Sequence, residues 1–149
     1  LSNKYSLQHL NLCYLKDECY MTFGSFIRFP DAMIGPESSE YSLEVVESNS
    51  FRKDEWRASH LKTYKVFLWN LIKKKDFLNE DGEFYENCYD QAIMLPMLEM
   101  SGHKIKFVPE IMCIYNVGNP NAVNKTRVNK QYNNMLQIRS KEPYSRIDR

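Results

Sequence analysis

Residues 90–115, DQAIMLPMLEMSGHKIKFVPEIMCIY, carry the pattern that decides the fold. Asp90–Ser101 (DQAIMLPMLEMS) reads as a helix, and Gly102 follows it, the residue that most readily adopts the left-handed conformation ending a helix. Pro96 inside this run predicts a kink or a displaced start, because it lacks an N–H and crowds the preceding turn. Two short apolar runs come next, Ile105–Val108 and Ile111–Tyr115, parted by Pro109-Glu110, and each is strand-like.

The same alternation extends in both directions. Residues 4–15 (KYSLQHLNLCYL) place Leu7, Leu10 and Tyr14 at helical intervals, and residues 18–29 (ECYMTFGSFIRF) are aromatic and β-rich up to Pro30. Gly24 inside that strand predicts a bulge or a close backbone approach. Residues 31–52 hold turn signals, Ser and Glu, and read as a surface excursion rather than a second core. Residues 61–74 (LKTYKVFLWNLIKK) put Leu61, Tyr64, Phe67, Leu68, Leu71 and Ile72 on one stripe, which predicts an amphipathic helix with Trp69 in the core. Residues 76–88 read as a turn-rich loop, and residues 116–124 (NVGNPNAVN) as a polar one. Residues 124–140 form a last helix with Val128, Tyr132, Met135 and Leu136 facing inward. Helices and strands alternating in this way predict an α/β fold, a mixed sheet flanked by helices.

Composition sets bounds on function. The chain has 149 residues, 26% charged and 43% hydrophobic, which suits one soluble unit rather than two domains. Twenty Lys and Arg against 19 Asp and Glu leave a net charge of +1, so no general pull toward nucleic acid exists. Cys13, Cys19, Cys88 and Cys113 form no CxxC pair, which argues against zinc ribbons and redox motifs and for buried free thiols in a reducing cytoplasm. The seven methionines, four of them within Met94–Met112, read as filler between helix and sheet. Residues 1–12 contain neither a signal-peptide core nor a membrane span, and the first residue is Leu1, so the chain reads as an internal fragment.

Four strings in order resemble the C-terminal half of bacterial family-2 nucleotide-sugar glycosyltransferases of the GT-A fold. They are MTFGSFIRFP, SFRKDEWRASHLKTYKVFLWNLI, DGEFYENCYDQAIMLPMLEMSGHKIKFVPEIMCIYNVGNPN and IRSKEPYSRI, and together they cover nearly all of the chain. The resemblance implies a GT-A fold and inverting sugar transfer from a nucleotide-diphosphate-sugar to a glycan or lipid-linked acceptor, at a cytoplasmic site or the inner face of a membrane. It also implies that the half holding the nucleotide and a DxD motif, which binds Mg or Mn, lies upstream of Leu1. No two Asp residues here stand two apart; Asp81-Gly82-Glu83 comes too late and reads as a glycine-centred turn. The ligands of the expected divalent metal therefore lie mostly outside this chain.

The resemblance places the catalytic base, which takes the proton of the attacking hydroxyl, at Asp90. A carboxylate in the first turn of a helix is stabilised as an anion and projects from the end of the element. The plainer reading is a helix cap. Many relatives carry two adjacent acids where this chain has Tyr89-Asp90-Gln91, and Glu86 is the substitute candidate.

By the same resemblance Trp56, Arg57, His60 and Lys62 face the acceptor, with His60 and Lys62 donating to hydroxyl or phosphate oxygens and Trp56 stacking on a sugar. Against this stand a His60 packed on Trp56, a solvated Lys62 and a Trp56 that is simply core. Asn119, Asn121 and Lys125 fall in the loop that closes over the donor, whereas Asx turns are the local alternative for the asparagines. The Asn124-Lys125-Thr126 sequon is discounted because nothing indicates secretion, and His103 reads as a cap on helix-end carbonyls.

Two other function classes compete. A non-catalytic carbohydrate-binding or scaffold module descended from such an enzyme would also lack the donor motif. A nucleic-acid-binding domain using Lys73-Lys74-Lys75 is the weakest, given the near-neutral charge. About 90 residues with a DxD before Leu1, a length set by ordinary domain size, would favour the enzyme.

Overall fold

A computed structural model describes residues 1–35, 39–119 and 128–147. In chain order the elements are α1 (Ser6–Lys16), β1 (Met21–Phe29), α2 (Leu43–Glu47), β2 (Thr63–Tyr64), α3 (Val66–Leu71), α4 (Tyr89–Ser101), β3 (Ile105–Asn116) and α5 (Val128–Ser140), with 3-10 turns at Lys74–Phe77 and Gly102–Lys104. They form a mixed α/β structure around a three-stranded sheet of order β2-β1-β3, in which β1 pairs antiparallel with β2 and parallel with β3.

The central strand β1 is covered on both faces, as suits the middle strand of a sheet with helices on either side. On one face Met21 and Phe23 join Leu95, Leu98 and the rest of α4 in the main core. On the other, Leu10 and Cys13 of α1 pack with Val108, Met112 and Leu61. Helix α4 begins at Tyr89 with Pro96 buried inside it, so the proline does not displace its start, and Gly102 ends it at φ 52°.

The two runs around Pro109-Glu110 are one strand. Register jumps from Gly24 opposite Val108 to Ser25 opposite Ile111, so Pro109 and Glu110 bulge out of the ladder. Gly24 makes the close approach expected of it: a Cβ there would sit 2.9 Å from the Val108 carbonyl oxygen and 3.5 Å from that of His60. Both neighbours are backbone and cannot rotate away. Gly24→Ala is therefore expected to lower the unfolding free energy by about 1–3 kcal/mol, the usual cost of overpacking, as read by denaturant titration.

Several expectations need correction. The helix expected over 61–74 is only six residues, because residues 56–62 form no regular element, with a bend at His60 and Leu61, and Thr63 and Tyr64 pair with β1. The shorter helix buries Leu68 and, just past its end, Ile72, leaving Tyr64 and Leu71 partly outside. Trp69, one position round from Leu68, is 42% exposed and stacks on Phe77, so it is not core. Residues 31–52 are not merely surface: Tyr41, Val46 and Phe51 belong to the main core, and Ser42 caps α2 by accepting the Val45 N–H.

Helix α5 buries Asn134 and Ile138 rather than Tyr132 and Leu136, which are exposed. Its inward side carries polar anchors, with Asn134 donating to Asn87 and Arg139 to Gln91, so apolar spacing alone misplaces that face. In α1, Leu7 is exposed while Cys13 joins Leu10 inside. All four thiols are free, three of them buried and Cys113 only partly so. Asp81-Gly82-Glu83 is the turn expected, with the Asn79 side-chain carbonyl accepting the N–H groups of Asp81 and Glu83. No helix among the described residues is long and apolar enough to cross a membrane.

Candidate functional site

The site forms where α4 starts. Cys88, at φ 54°, turns the chain into the helix, and its carbonyl accepts the N–H groups of Gln91 and Ala92. Asp90 thus stands in the first helical turn, where unpaired N–H groups favour an anion. Its side chain is 42% exposed, so an acceptor can reach the carboxylate. Lys62 donates to Asp90 Oδ2 at 2.9 Å, and with its own side chain only 13% exposed it is not the solvated lysine its composition suggests.

The irregular segment 56–62 supplies the other groups. The Lys62 ammonium lies 5.3 Å from the ring centre of Trp56, over its face, while Trp56 itself packs partly against the main core. His60 stacks on Tyr115 with ring centres 5.0 Å apart and planes 16° from parallel, and Phe26 meets it edge-on at 5.7 Å. Phe26 and Tyr115 lie toward the carboxyl ends of β1 and β3, where open α/β sheets gather ligand contacts. Gly35 lies so close to the Phe26 ring that a Cβ would overlap it.

Burial and, next, the Lys62 charge hold the His60 imidazole below its ordinary pKa of 6.5, with Asp90 pulling weakly the other way. The imidazole is consequently neutral at pH 7 and can act as donor or acceptor. Burial, followed by the neighbouring Asp90 charge, pushes the Cys88 thiol up to about 11, so it is not a nucleophile at neutral pH.

Of the residues singled out in the sequence, Asp90, Lys62, Trp56 and His60 are brought together. Arg57 is not: its guanidinium donates to Asp54 Oδ2 at 2.7 Å and to Ser39 at 3.0 Å. It lines a separate cleft of about 590 Å³ with Tyr41, Phe107 and His103. Glu86 pairs with Lys130 of α5 at 2.7 Å. Asn119 stands exposed beyond the end of β3, Asn116 makes an Asx turn by accepting the Gly118 N–H, and Asn121 and Lys125 lie outside the described residues.

Among the described residues no group of three or more His, Cys, Asp or Glu side chains is placed to hold a metal ion.

The residues that one-dimensional reading missed are Tyr115, Phe26 and the supports behind α4. Tyr115 had a signal, an aromatic closing the last strand just before a polar loop. Arg52, Glu99 and Arg139 had none. Arg52 reaches both Glu99 oxygens, at 2.6 and 3.0 Å, in the core, and donates to the Ile138 carbonyl of α5. Arg139 returns from α5 to Gln91, next to Asp90, and to the carbonyls of Arg52 and Asp54.

Comparison of the chain with protein-family models, with curated proteins and with solved structures returns no match.

Proposed function

We propose that this chain is the acceptor-side half of an inverting GT-A-type glycosyltransferase, with Asp90 as the base that takes the proton from an acceptor hydroxyl. The observation that carries the reading is the reachable carboxylate in the first turn of α4, paired to Lys62 and flanked by the neutral His60. Its support in the sequence is the ordered run of four strings that resemble this family. The two cations nearest in sequence are already used, Arg57 by Asp54 and Lys62 by Asp90, which favours an uncharged hydroxyl acceptor, such as a glycan, over a phosphorylated one. In this reading the sugar nucleotide and its divalent metal are held by residues outside these 149, and the 149-residue chain alone transfers nothing.

The test is transfer by the full-length protein from labelled nucleotide-sugars to a panel of sugar and lipid-linked acceptors, wild type against Asp90→Asn. Transfer that depends on Asp90 supports the reading. Absence of transfer across the panel, or full activity in the variant, overturns it.

A further inference from the structure

Trp56 and Lys62 look separately like groups that would touch a sugar, yet the geometry gives each another occupant. One indole face carries the Lys62 ammonium, and that ammonium carries the Asp90 carboxylate. We propose that Trp56 is the seat of Lys62 and that the two act as positioning residues for Asp90, rather than as an acceptor-binding pair.

The physical case rests on three contacts in series. A lysine side chain has four rotatable carbons and loses them only where something fixes both stem and head. Here the head is fixed twice, by the indole face at 5.3 Å and by the carboxylate at 2.9 Å, and the side chain is 13% exposed. Trp56 is in turn held by its packing on the main core. The carboxylate is 42% exposed and would otherwise sample several rotamers, so a fixed ammonium narrows its aim. The pair's functional meaning rests on the reading of Asp90 as a base, but its existence does not.

His60 is a built-in reporter. The charged and titratable groups around it are Lys62 on its own segment, Tyr115 of β3 stacked on its ring, and Asp90 on α4, which also faces Cys88 at the helix start; Arg139 of α5 is bonded to the adjacent Gln91. Lys62 lowers the His60 pKa and Asp90 raises it. Anything that unseats Lys62 therefore moves the imidazole midpoint upward, toward its ordinary 6.5.

The experiment follows the His60 ring protons by NMR through a pH titration of the labelled chain. Lys62→Gln is expected to raise the midpoint, and Lys62→Arg to keep the wild-type value, since a guanidinium can sit on the indole and meet the carboxylate. Trp56→Leu removes no charge, yet it is expected to raise the midpoint in the same direction, and to add nothing in the Lys62→Gln background. A wild-type midpoint in Trp56→Leu, or an equal shift in both backgrounds, overturns the proposal.

Where Trp56→Leu does not fold, the wild-type spectrum decides. The ε-protons of Lys62 are expected upfield of those of the other lysines, because they lie over an aromatic face; coincidence with the other lysines overturns the seat. These readouts are independent of turnover. A fully active Asp90→Asn enzyme would remove the catalytic reading and leave the positioning geometry standing.

Discussion

Arg52→Ala is expected to lower the unfolding free energy by about 3–5 kcal/mol, a large part of the stability of a domain this size. The reason is what remains behind. Glu99 is fully buried in the third turn of α4, and its oxygens are met by the Arg52 guanidinium and by the Tyr144 N–H. Removing Arg52 leaves a carboxylate that burial already pushes above its ordinary pKa of 4.5, against the opposing pull of Arg52 itself. For an acid raised in the folded state, its contribution to stability is present below the ordinary value and is lost as pH rises through the folded value. Without Arg52 the folded value climbs further. The deficit of the variant should consequently be smallest in acid and grow toward neutrality. Chemical denaturation of both proteins across that range checks it, and a deficit independent of pH would show that Glu99 is not the group left stranded.

Asp90→Asn in the full-length protein is expected to reduce transfer by about 10²–10⁴-fold, the contribution of a positioned general base. The substitution is nearly isosteric, so α4 and the contact with Lys62 can survive while the proton acceptor is lost. Glu86→Gln serves as the control. Its partner is Lys130 on the surface of α5, and its rate should stay close to wild type. A loss in Glu86→Gln as large as in Asp90→Asn would move the base assignment, and steady-state rates at saturating donor distinguish the two.

What the sequence made legible follows from range. Helix α4 and its glycine stop were readable because a helix signal is local, and so was the close approach at Gly24. Asp90 was readable for the same reason, since its place depends only on where α4 begins. The error over residues 61–74 has the opposite origin. Its apolar spacing is helical, but Thr63 and Tyr64 gain hydrogen bonds to β1 across some forty residues, and tertiary pairing overrides local preference. The Arg52–Glu99 pair, 47 residues apart, leaves no mark in one dimension, because neither a lone Arg nor a lone Glu announces burial. Arg57 shows the limit at short range. It stands one residue from Trp56 and three from His60, yet its side chain serves a different cleft.

The bulge around Pro109-Glu110 also bears on how the molecule behaves in a crowd. β3 is an outer strand of the sheet, and such a strand is a template on which a second chain can pair and begin to aggregate. Pro109 has no N–H to offer, and two register shifts beside Ser25 break the regular spacing of the strand. Ser2 donates its N–H to the Met112 carbonyl at 3.0 Å and its hydroxyl to the Ile111 carbonyl. An incoming strand meets no unbroken row of donors and acceptors there, so the irregularity protects the chain against templated self-association.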